Sequence, residues 1–116
     1  LVENLILFKT FYYPISAELY FQSGGIFLLK IMNSYELSRN WFDWSFENPE
    51  LVNPNHTAIY FFAIEHCNRL GWKEKFGFPT QMVMDALGIK KHQTYIKYFN
   101  ELVDYGFIKM IQWAKQ

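Results

Sequence analysis

Thr80-Gln81-Met82-Val83-Met84-Asp85-Ala86-Leu87-Gly88-Ile89-Lys90-Lys91-His92-Gln93-Thr94-Tyr95-Ile96-Lys97-Tyr98-Phe99 is the stretch that decides how this chain is organised. Thr80 follows Pro79 and stands where a helix N-cap is required, and Val83, Met84, Ala86 and Leu87 supply the inner face of a short helix over 80–87. Gly88 breaks that helix. Leu87 ends one apolar stripe and Ile89 begins another that must point into the same core, so the spacing predicts a left-handed glycine at a tight turn. A second helix starts at about Lys90, turns Ile96, Phe99, Leu102 and Val103 inward, and stops at Asp104-Tyr105-Gly106.

Outward from this pair the signals change to strands. Phe76-Gly77-Phe78 is a short β-prone run closed by Pro79, and residues 107–113 form a longer one. The two are expected to make a small antiparallel sheet beside the helices. Further upstream, Ser34 offers a helix start. Tyr35, Leu37, Trp41, Phe42, Trp44 and Phe46 make an aromatic-rich helix over 34–47, which Asn48-Pro49 terminates. Asn55 is placed to cap the next helix, which runs to Leu70 with Ile59, Phe62, Ala63, Cys67 and Leu70 as its buried stripe and Gly71 as its C-terminal cap. The expected order is helix, helix, strand, helix, tight turn, helix, strand: a mostly α fold with a small antiparallel β-sheet.

Composition bounds what such a fold can be. The 116 residues are 51% hydrophobic and 21% aromatic, with 11 Lys+Arg against 11 Asp+Glu, which fits one globular domain and not a disordered chain. Lys9, Glu18, Lys30 and Arg39 interrupt the early apolar runs, so no membrane span is expected. One cysteine, Cys67, excludes an internal disulfide and a multi-Cys zinc site and suits the cytoplasm. The neutral balance hides an asymmetry: residues 26–72 hold three basic and five acidic side chains, whereas 73–116 hold seven basic and four acidic.

Residues 1–25 read differently from the rest. Leu19-Tyr20-Phe21-Gln22-Ser23 resembles the recognition site of the protease used to remove purification tags, although Glu18 directly precedes Leu19 with no intervening Asn. The segment 1–25 is therefore expected to be tag-derived or linker-derived, and 26–116 to be the domain.

Two helices joined by a Gly-containing turn are the helix-turn-helix signature. The pattern Gln81-x-x-x-Asp85-Ala86-Leu87-Gly88-Ile89, then Thr94-Tyr95-x-x-x-Phe99-x-x-Leu102-x-x-x-Gly106-Phe107-Ile108, resembles the winged helix-turn-helix superfamily, here with an extra N-terminal aromatic helix. More narrowly, residues 33–42, 54–62 and 68–77 look like the N-terminal domain of replication-initiator proteins, the DnaD-like and phage replisome-organiser group of prophages and mobile elements. That resemblance implies origin DNA binding or self-assembly on it, and a chain stopping at Gln116 would end within the wing.

Lys90, Lys91, Gln93, Thr94 and Lys97 fall at the start and outer face of the second helix of the pair, where a winged helix enters the major groove. Amides such as Gln93 read adenine edges, and lysines contact phosphate or guanine. Glu101 and Asp104 would oppose phosphate, which confines contact to the first two turns. The expected partner is double-stranded DNA. Aromatic side chains on helix 34–47 exceed one narrow stripe, so Tyr35, Trp41 and Trp44 are expected at a partner interface, most simply a homodimer in which these helices pair. A non-catalytic assembly module on the same fold is the alternative reading. No enzyme, metal site, cofactor or small-molecule substrate is expected, since His56, His66 and His92 lack i,i+4 spacing and the glycines are isolated.

Overall fold

The computed structural model describes residues 5–8 and 26–112, with side chains over 5–8 and 34–111. In chain order the elements are β1 (Leu5–Phe8), α1 (Ile26–Glu47), a 3-10 turn (Pro49–Leu51), α2 (Pro54–Arg69), β2 (Phe76–Gly77), α3 (Thr80–Leu87), α4 (His92–Asp104) and β3 (Ile108–Gln112). The described residues are thus mostly helical, with a small three-stranded antiparallel sheet. No helix among them is long and apolar enough to cross a membrane.

The sheet differs from expectation in its middle strand. β2 and β3 do not pair with each other, because β1 lies between them and runs antiparallel to both. Ile6 stands opposite Phe76 on one side and Met110 on the other. Leu5–Phe8 therefore cannot be set aside with the rest of 1–25: Ile6 is fully buried, and Phe8 packs edge-on against Tyr60 and obliquely against Phe76, each at 5.6 Å between ring centroids. The physical reason is that β2 has two residues, too few to hold a ladder alone, so the sheet needs a third strand to gain an apolar face. The tag-like match at 19–23 and Trp113 lie outside the described residues.

α1 begins eight residues before Ser34. The run Ile26-Phe27-Leu28-Leu29-Lys30-Ile31-Met32 contains no Gly or Pro, and the helix continues through it. Ser34 is interior, with its carbonyl accepting from Ser38 Oγ at 3.1 Å. At the other end Asn48 Nδ2 donates to the Trp44 carbonyl, and Pro49 prevents continuation. Asn53, not Asn55, caps α2: its side chain accepts from the Asn55 N–H at 2.8 Å, and Pro54 fills the first helical position, where no N–H is missed. The buried stripe of α2 is Ile59, Tyr60, Ala63, Ile64 and Cys67, whereas Leu70 is exposed.

α3 buries Val83 and Met84 and leaves Ala86 exposed. α4 buries Tyr95, Phe99 and Leu102, with Ile96 and Val103 half-buried. Between them Gly88 is left-handed at φ 72°, and the Ile89 N–H donates to the Met84 carbonyl at 3.0 Å. A Cβ added to Gly88 would meet nothing within 4 Å, so substitution there is opposed by backbone strain alone. Gly88→Val is accordingly expected to cost about 1–2 kcal/mol and lower Tm by roughly 5 °C or more in a thermal melt. A melt superimposable on the parent's would show that the turn tolerates this backbone without glycine.

Candidate nucleic-acid interface

The residues before and at the start of α4 are open to solvent. Lys90, Lys91, Gln93 and Lys97 are exposed, and Thr94 is half-buried. Gln93 and Lys97 lie one turn apart on one face, and the exposed amide of Asn100 follows at the next turn, beyond the two turns to which the sequence confines contact. Lys90 and Lys91 sit on the connection that Gly88 opens, so the tight turn gathers the lysines near the positive end of the α4 dipole. Lys91 is the N-cap residue and makes no side-chain capping hydrogen bond. The Lys97 ammonium lies 5.0 Å from the centroid of the Tyr98 ring.

What positions α4 is a histidine. His56 is 1% exposed and occupies the third position of α2, where its Nδ1 accepts from the Asn53 N–H at 2.9 Å and completes a capping box. That bond fixes the tautomer, because an Nδ1 that accepts leaves the proton on Nε2. Nε2 then donates to Glu101 Oε1 on α4 at 2.7 Å. Rings from three parts of the chain enclose it: Trp41 at 6.2 Å, Tyr98 at 5.0 Å and Tyr105 at 5.4 Å. Glu101, expected from sequence to repel phosphate, is thus turned toward α2, half-buried and hydrogen-bonded. Asp104 is exposed at the last turn.

The three residues expected at a partner interface separate. Trp41 is fully buried, with Nε1 donating to Thr57 Oγ1 at 2.9 Å and its ring 5.0 Å from Phe107. Trp44 is half-buried against Tyr105 at 4.8 Å and Phe107 at 5.3 Å. These two belong to the core, because α1 must cover the end of α4 and the start of β3. Tyr35 alone of the three is exposed.

Among the described residues no three His, Cys, Asp or Glu side chains come together as a metal site. His66 Nε2 bonds the Gly77 carbonyl at 3.0 Å, which ties α2 to β2. Cys67 is buried, its Sγ 3.6 Å from the Lys73 carbonyl, and burial pushes its thiol up to about 12. Burial also raises the Tyr60 and Tyr95 hydroxyls, and Tyr60 has no hydrogen-bond partner among the described residues.

Replacing His56 with Phe removes both the cap acceptor and the α4 tie, and is expected to cost about 2–4 kcal/mol by denaturant titration. His56→Gln, which keeps an acceptor at the third helical position, should lose less; equal losses would show that the cap contributes nothing. A second expectation concerns pH. Cys67, Tyr60 and Tyr95 ionise more readily unfolded than folded, so the unfolded chain binds fewer protons at alkaline pH and stability falls as pH rises above about 9. Tm measured from neutral to strongly alkaline buffer should decline in that window, and a flat profile would contradict it.

Comparison with protein-family models, with curated proteins and with solved structures gives no match, so the chemistry of these side chains carries the functional reading.

Proposed function

We propose that this chain is a DNA-binding winged-helix-turn-helix domain of a replication-initiation or related regulatory protein from a phage or mobile element, acting on double-stranded DNA in the cytoplasm. The observation that carries the reading is the cationic start of α4: Lys90, Lys91 and Lys97 exposed around a helix whose opposite face is locked into the core. Glu101 supports it, since its hydrogen bond to His56 draws a carboxylate away from the presented surface. In this reading α4 enters the major groove, Gln93 reads a base edge, Thr94 borders the groove wall, and the three lysines neutralise phosphates. The sheet supports it less directly. Its β2 and β3 flank the helix pair in sequence as the superfamily's strands do, yet β1 occupies the place between them.

Replacing Lys90, Lys91 and Lys97 together with Ala should weaken duplex binding and lower the slope of log K against log salt by about 0.9 for each phosphate that is no longer neutralised. Fluorescence anisotropy on a random duplex across a salt series measures both. Unchanged binding at low salt would reject this placement of the DNA.

A further inference from the structure

α1 carries a second aromatic face that the core does not use. Leu37, Trp41 and Trp44 point into the domain, whereas Tyr35 (62% exposed), Phe42 (44%) and Phe46 (80%) are among the most exposed large hydrophobic side chains described. At 100° per residue, Tyr35, Arg39, Phe42 and Phe46 fall within about 60° of one another, on the side of the helix opposite Leu37, Trp41 and Trp44. Their spacing of four, three and four is the a/d repeat of a helix that pairs with another helix. Phe61 on α2, half-buried and 5.7 Å from Phe42, widens the stripe at its middle.

We infer that this stripe is the seat of a second copy of the chain, the two α1 helices packing antiparallel about a two-fold axis near residues 40 and 41. The stripe is its own complement in that direction. Tyr35 of one copy meets Phe46 of the other, and Arg39 meets Phe42, since the positions are symmetric about the midpoint of the four. The charges agree with the same axis. Arg39 sits 3.9 Å from Asp43 and 6.0 Å from the Tyr35 ring within one copy, both charged groups well exposed. The two-fold brings each Arg39 beside the other copy's Asp43 and over an aromatic ring, so the stripe's one cation finds an anion and a π face across the interface. A parallel pairing would instead stack Arg39 on Arg39. The surface is separate from the α4 lysines, and the inference stands whether or not α4 binds DNA.

Four side chains from each copy make a small interface, so dimerisation is expected in the range of roughly 10–100 µM. Sedimentation velocity on the full chain without DNA measures it, with circular dichroism as the check on folding. Phe46→Asp should raise the dissociation constant by roughly tenfold or more, since it places a charge in the seam. Arg39→Asp should weaken association, and the exchange Arg39→Asp with Asp43→Arg should restore it to within about threefold, because the pair is re-formed with signs reversed. Mixing Tyr35→Cys with Phe46→Cys chains should give an oxidised heterodimer, while Phe46→Cys alone should not cross-link; the buried Cys67 stays silent in both. A chain that is monomeric at several hundred micromolar, a dimer indifferent to Phe46→Asp, or efficient Phe46→Cys self-linking would each overturn the inference.

Discussion

His56 has to satisfy two helices at once. Its ring is buried, so both nitrogens must find partners inside the protein, and they do so in opposite directions: Nδ1 back to the Asn53 N–H, Nε2 across to Glu101. The first bond closes the N-terminus of α2. The second fixes the rotation of α4 about its axis, because Glu101 reaches the imidazole only when Tyr95, Phe99 and Leu102 face the core. Trp41, Tyr98 and Tyr105 pack around the ring, so the same residue joins α1, α2 and α4. The exposed face of α4 is what remains once that geometry is met.

The aromatic residues of this chain are divided between two kinds of work. Trp41, Tyr60 and Phe107 meet at centroid distances of 5.0 to 5.7 Å, mostly edge to face, and seal the junction of α1, α2 and β3. The Trp41 N–H reaches Thr57, which makes burial of the indole favourable. The Tyr60 hydroxyl has no such partner among the described residues, and its ring is held by packing alone. Tyr35, Phe42 and Phe46 point the other way, so α1 is apolar on two sides and only one of them is served by this domain.

Electrostatics follow from placement more than from totals. A chain with equal numbers of acidic and basic residues presents Lys90, Lys91 and Lys97 at one helix end, while the half-buried Glu101 of the same helix is turned toward His56. Field at a surface depends on which charges are free to act there.

Much of the helical part was legible in the residues. Gly88 after Leu87, Gly106 after Tyr105 and Pro49 after Asn48 mark ends by local backbone sterics, which act wherever the sequence is placed, and the left-handed φ at Gly88 follows. The exposed Gln93 and Lys97 were equally readable, since helix periodicity separates them from Tyr95 and Phe99, whereas Lys90 and Lys91 lie on the connection just before α4. What sequence left open were matters of long-range pairing. A four-residue strand at Leu5–Phe8 has no periodicity long enough to identify it, and it becomes a strand only because β2 and β3 leave a place for one. Trp41 and Phe42 are adjacent aromatics of like hydrophobicity, and which of them is core depends on where α2 and β3 lie. His56 reads as an isolated histidine until Glu101, 45 residues later, is brought within 2.7 Å. Local sterics and turn chemistry are written in neighbouring residues; burial and polar pairing are properties of elements that meet only when the chain has folded.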